Sequence, residues 1–132
     1  MKKVLVVMGS DSDLKVMEKC VDRLKSFDIP TEVRICSAHR TPAVAEQLAE
    51  NAAAEGFGVI IAAAGKAAHL GGVLAAYTTL PVIGVPMATS VMGGMDSLLS
   101  IVQMPKGIPV ATVAIDGADN AAILAAQMIA LS

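Results

Sequence analysis

Five short runs of strand-forming character recur along this sequence, each followed by a polar or glycine-bearing loop and then by a segment of helical periodicity. That alternation leaves few folds open, because strands separated by helices pair in parallel through crossover connections. Residues 3–8 form a nearly continuous apolar run that ends in Gly9-Ser10-Asp11-Ser12-Asp13. From Asp13 the period changes: Leu14, Met17, Val21 and Leu24, with Cys20 and Phe27 alongside, mark one face of a helix that Asp28 to Pro30 breaks. Residues 31–36 alternate, with Val33 and Ile35 on one face, and predict a second strand. Thr41 is placed as an N-cap with Pro42 at the first helical position, and Gly56 as the residue that closes that helix. Strands are expected at 59–64, 82–85 and 110–115, and helices at 67–77 (despite Gly71 and Gly72), 95–103 and 119–131.

Strands that are apolar throughout are buried on both faces. The expected fold class is therefore α/β: a single-domain three-layer αβα sandwich over residues 1–132, doubly wound and flavodoxin-like, around a five-stranded parallel sheet. Such a fold binds its ligand outside the carboxyl ends of the strands.

Composition excludes several classes. With 55% hydrophobic and 17% charged residues the chain is too apolar to stay disordered, yet no apolar run approaches the ~18–20 residues of a membrane span. A net charge of −2 with scattered Lys and Arg gives no nucleic-acid footprint. The five apolar residues after Met1-Lys2-Lys3 are too few for a signal peptide, so a cytoplasmic location is expected. Few charges on a small domain predict a homo-oligomer, with the Ala-rich segments 43–54 and 121–130 as candidate interface helices; the alternative is that those helices pack tightly within one domain. Cys20 and Cys36 read as buried thiols, and no zinc-ligand spacing is present.

The chemistry concentrates in three strand-exit loops: 9–13, Ser37-Ala38-His39-Arg40-Thr41-Pro42, and Gly65-Lys66-Ala67-Ala68-His69. Both histidines of the chain fall in them. The first loop has neither the dinucleotide nor the P-loop glycine pattern, and strand three ends in Ala64-Gly65 where a receiver domain needs Asp. A flavin would want flanking aromatics, but Tyr77 stands with no Trp. A small phosphorylated ligand fits better. Asp11 and Asp13 would repel a phosphate but accept hydrogen bonds from ribose hydroxyls, while Arg40 offers a planar fork to phosphate. Against these stand plain helix capping for Ser12 or Asp13 and a surface ion pair for Arg40. His39 is the natural proton-transfer residue. His69, at a helix start, serves equally well as a packing residue.

Met8-Gly9-Ser10-Asp11-Ser12-Asp13, the Ser37–Pro42 loop and Ala67-Ala68-His69-Leu70 together resemble the signature loops of the N5-carboxyaminoimidazole ribonucleotide mutase family. The segments 80–86, 96–105, 108–115 and 120–127 extend the resemblance over nearly the whole chain. It implies a purine-biosynthetic isomerase that moves a carboxylate from an exocyclic nitrogen to ring carbon C4 of an aminoimidazole ribonucleotide, through carbon dioxide, without metal or organic cofactor. It implies His39 as general acid/base, Ser10 and Asp13 as nucleotide-binding residues, and Arg40 at the phosphoribosyl part. Substrate contacts are implied for Ser37, Ala38, Gly65, Ala67, His69 and Leu70, in a homo-octamer with a small-molecule ribonucleotide as its partner. Two departures stand out. Family members commonly read Gly-Gly-Ala-Ala-His-Leu-Pro-Gly where this chain has Gly65-Lys66-Ala67-Ala68-His69-Leu70-Gly71-Gly72, so that Lys66 either assists carboxylate binding or obstructs the pocket. The sequence also stops at Ser132, short of a C-terminal helical extension that many relatives carry. Carboxylation with free carbon dioxide, or silent nucleotide binding, are the alternative functions.

Overall fold

The structure, a computed structural model, describes residues 1–131. Strands β1 (Lys3–Met8), β2 (Thr31–Ile35), β3 (Phe57–Ala64), β4 (Val82–Pro86) and β5 (Ala111–Thr112) form one sheet in the order β2-β1-β3-β4-β5, every neighbouring pair parallel. Helices α1 (Leu14–Ser26), α2 (Pro42–Ala52), α3 (Leu70–Ala76), α4 (Met95–Val102) and α5 (Ala118–Ala130) cover both faces, which is the expected three-layer sandwich. The order reverses direction at β1/β3, so the crevice between their exit loops is where this topology binds ligands.

Side-chain alternation divides the core in two. Val4, Val6 and Met8 of β1 join Met17, Cys20 and Leu24 of α1 and Ala118, Ala121, Ala122 and Ala125 of α5. Leu5 and Val7 turn to the opposite face, with Ala45, Ala49 and Ala52 of α2 and Leu70 and Leu74 of α3. The buried alanines of both Ala-rich helices thus pack inside the domain, the alternative to interface helices. Exposed apolar side chains gather instead on α4 and the loop before it: Val91, Met92, Met95, Leu99 and Val102. Cys20 and Cys36 are buried free thiols, and burial, with the Asp119 charge adding, pushes the Cys20 thiol up to about 12. Among the described residues no helix is long and apolar enough to cross a membrane.

Several boundaries differ from expectation. Strand β5 pairs through two residues rather than six: it is an edge strand, and beyond the bond from the Val113 N–H to the Gly84 carbonyl (3.2 Å) the next bond to β4 comes from the Asp116 N–H to the Pro86 carbonyl (2.8 Å). Helix α2 stops at Ala52, and a turn through Gly56 (φ +95°) carries the reversal into β3. Thr41 does occupy the N-cap, but its hydroxyl donates back to the Ser37 carbonyl (2.9 Å) instead of capping. Helix α3 begins at Leu70, not Ala67, because Lys66 adopts left-handed backbone (φ +57°) and the His69 N–H closes a tight turn on the Ala67 carbonyl.

Candidate functional site

The exit loops of β1, β2, β3 and β4 enclose a cavity of about 500 Å³. Most residues singled out in the first three loops line it: Ser10 and Asp13; Ser37, Ala38, His39 and Arg40; Gly65, Ala67, His69 and Leu70; Asp11, paired with Asp13 as a hydroxyl acceptor, does not. Each loop is held by local bonds that the sequence dictates. Ser10 caps a 3₁₀ turn over Asp11–Asp13, its hydroxyl accepting the Ser12 N–H (3.3 Å). Asp13 makes no capping bond to α1, so its carboxylate remains available to the cavity. Ser37 organises the second loop: its hydroxyl accepts the Arg40 N–H (3.1 Å) and its carbonyl accepts the Thr41 N–H (2.9 Å). Arg40 forms no ion pair among the described residues, which disposes of the surface-pair alternative.

The two histidines, thirty residues apart, meet here. Nε2 of His39 lies 3.0 Å from Nδ1 of His69, with the rings edge to face. One of the facing nitrogens donates and the other accepts. Each ring keeps one nitrogen without a protein partner among the described residues: Nδ1 of His39 and Nε2 of His69. His69 is therefore no packing residue; it is exposed and bonded to His39.

The fourth wall is the part that sequence reasoning missed. Met87, Ala88, Thr89 and Ser90, leaving β4, line the cavity although none is charged. The fully buried Ser97 fixes this wall by donating to the Met87 carbonyl (2.8 Å) while accepting the Lys66 N–H (2.9 Å). Asp116 accepts the Ala88 N–H (2.9 Å). Continuing the strand-exit logic to the fourth strand would have located this loop. Lys66 also lines the cavity, and its left-handed backbone costs a non-glycine residue about 1–2 kcal/mol.

Partial burial raises the Asp13 carboxyl above its ordinary range and the Asp116 charge adds to this, while a backbone hydrogen bond from Ser10 opposes it. A carboxyl whose pKa is raised by folding favours the folded state at low pH and loses that contribution as pH rises through the folded value. Asp13→Asn is accordingly expected to melt higher than wild type at pH 7, with the gain vanishing below the unfolded carboxyl value. Ligand affinity should fall at least about tenfold, because a hydrogen bond to a charged acceptor is lost. Thermal melts across pH, paired with calorimetric titration of nucleotide, check both halves; a lower melting temperature at pH 7 would contradict the sign.

The sequence profile described as AIR carboxylase matches residues 3–132. The N5-carboxyaminoimidazole ribonucleotide mutase of Pyrococcus abyssi is 56% identical over 131 residues, 99% of this chain and 75% of that protein. The enzyme of the same name from Mycobacterium tuberculosis is 58% identical over 127 residues, covering 96% and 73%. Among solved structures, Treponema denticola PurE superposes with a TM-score of 0.85 at 34% identity, covering 97% of this chain and 80% of that one.

Proposed function

The chain belongs to the AIR carboxylase family, and from that premise we propose that it converts N5-carboxyaminoimidazole ribonucleotide to 4-carboxy-5-aminoimidazole ribonucleotide. The observation that carries this reading is the histidine pair, 3.0 Å apart, in one cavity with Arg40, Asp13, Ser10 and Ser37. The reaction needs a proton twice and in opposite senses. As the N–carboxylate bond breaks, the nitrogen takes a proton and carbon dioxide departs. Ring carbon C4 then attacks the carbon dioxide and surrenders its own proton, so the exchange closes without net gain or loss.

His39 serves both steps through Nδ1, the nitrogen not engaged by the protein, while His69 holds the ring from the other side. Arg40 takes the phosphate and Asp13 accepts from the ribose hydroxyls, with Ser10 completing the nucleotide end. Ser37, Ala38, Gly65, Ala67 and Leu70 close around the base. The small Ser37, Ala38, Gly65 and Ala67 let the backbone approach it, and the bound nucleotide covering the cavity keeps carbon dioxide at hand between the steps. Incubation with N5-carboxyaminoimidazole ribonucleotide, followed by absorbance of the 4-carboxy product, is expected to show turnover without added bicarbonate. Product formed solely from aminoimidazole ribonucleotide plus bicarbonate would transfer the assignment to a carboxylase.

The same reading carries a cytoplasmic homo-octamer. Its support here is the exposed apolar side of Val91, Met92, Met95, Leu99 and Val102, a surface costly to leave in water. Sedimentation at micromolar protein is expected to give a single large species, and a monomer would refute it.

A further inference from the structure

Lys66 is out of place in two respects at once. It is a non-glycine residue in left-handed backbone, and it is a cation that lines the cavity without forming an ion pair among the described residues. The conformation is imposed from both sides. The Lys66 N–H donates to the hydroxyl of buried Ser97 (2.9 Å), and its carbonyl accepts from Ser100 (3.3 Å). Strain of this kind persists where surrounding structure over-determines it, and it concentrates at ligand sites.

The charges around the cavity are already partly assigned. Arg40, on the β2 loop, answers a phosphate, and Asp13, on the β1 loop, answers hydroxyls. Lys66 follows β3, on the same loop as His69, and lines the cavity that both histidines line. An ammonium is a compact point charge suited to a carboxylate. Resting on the function proposed above, we propose that Lys66 recognises the carboxylate of the carboxylated nucleotides and makes the site discriminate them from the uncarboxylated one.

The test separates charge from strain. 4-Carboxy-5-aminoimidazole ribonucleotide and 5-aminoimidazole ribonucleotide are titrated calorimetrically into wild type, Lys66→Gln and Lys66→Gly. Lys66→Gln keeps the strained backbone and much of the length but loses the charge. It is expected to bind the carboxylated nucleotide about tenfold more weakly, the lower end for a hydrogen bond between charged partners, with the uncarboxylated affinity unchanged. Lys66→Gly should show the same selective loss together with a higher melting temperature, since glycine accepts this backbone. An unchanged ratio of the two affinities in Lys66→Gln, or tighter carboxylated binding once the side chain is removed, overturns this inference alone. Wild type that binds neither nucleotide overturns the proposed function and this inference with it.

Discussion

Replacing His39 by asparagine is expected to lower turnover by ~10²–10⁴-fold while leaving nucleotide affinity largely intact, the loss typical of a general acid/base. The shorter asparagine amide falls short of Nδ1 of His69, but the bonds from the Arg40 and Thr41 N–H groups to Ser37 still hold the loop, so the change removes the ring without releasing its backbone. His69→Asn is a milder substitution. Its amide places a polar atom near the position of Nδ1, the nitrogen facing His39, and the His39 ring, proposed to carry the proton, remains. A smaller drop is expected there, in kcat rather than in binding. Steady-state kinetics with calorimetric affinities for both variants decide the matter. Near-normal turnover in His39→Asn would overturn the mechanism, and a larger loss in His69→Asn would move the proton to the other ring.

A large effect on stability is expected outside the cavity lining, at Gly84. This residue sits in β4 between Ala62 of β3 and Thr112 of β5. A Cβ added there would lie 2.4 Å from Cγ2 of Ile101 and 3.2 Å from Cγ1 of Val110. Ile101 is buried in α4, and the branch at its Cβ leaves that methyl no alternative position without displacing the helix. Gly84→Ala should therefore reach the upper end of the overpacking range, about 3 kcal/mol, and lower the melting temperature by roughly 10 °C. Ile101→Ala alone should cost about 2–5 kcal/mol by leaving a cavity. Combined, the two should cost clearly less than their sum, because the new methyl occupies the vacated space. Strict additivity in denaturant melts would show that the clash is relieved in some other way.

The sandwich and three walls of the cavity were legible because polar residues stand out in so apolar a chain. Ser10, Asp13, Ser37, His39, Arg40 and His69 all fall where a strand run ends, and all line one cavity. The fourth wall was not legible, since Met87-Ala88-Thr89-Ser90 contains no charge and no histidine. Ser97 was equally silent: nothing marks it apart from Ser100 in the same helix or hints that its hydroxyl ties two loops together. Periodicity located α3 but not its start, which a left-handed Lys66 delays by three residues. The shortness of β5 was hidden because Val110-Ala111-Thr112-Val113-Ala114-Ile115 has strand composition throughout, while pairing depends on a single neighbour, β4. The contact between His39 and His69 lies beyond any local pattern, for it depends on how two helices pack.

That dependence reaches residues that touch no ligand. His39 lies just before α2 and His69 is the residue preceding α3, and these helices pack against each other on one face of the sheet. The alanines Ala45 and Ala49 of α2 are buried in the same core as Leu70 and Leu74 of α3. The small volume of these two methyl groups lets α2 lie close in the core it shares with α3, and the gap between the two ring nitrogens depends on that packing. Selection on proton transfer would then be felt at Ala45 and Ala49 as a limit on volume, even though neither side chain has any chemistry to offer.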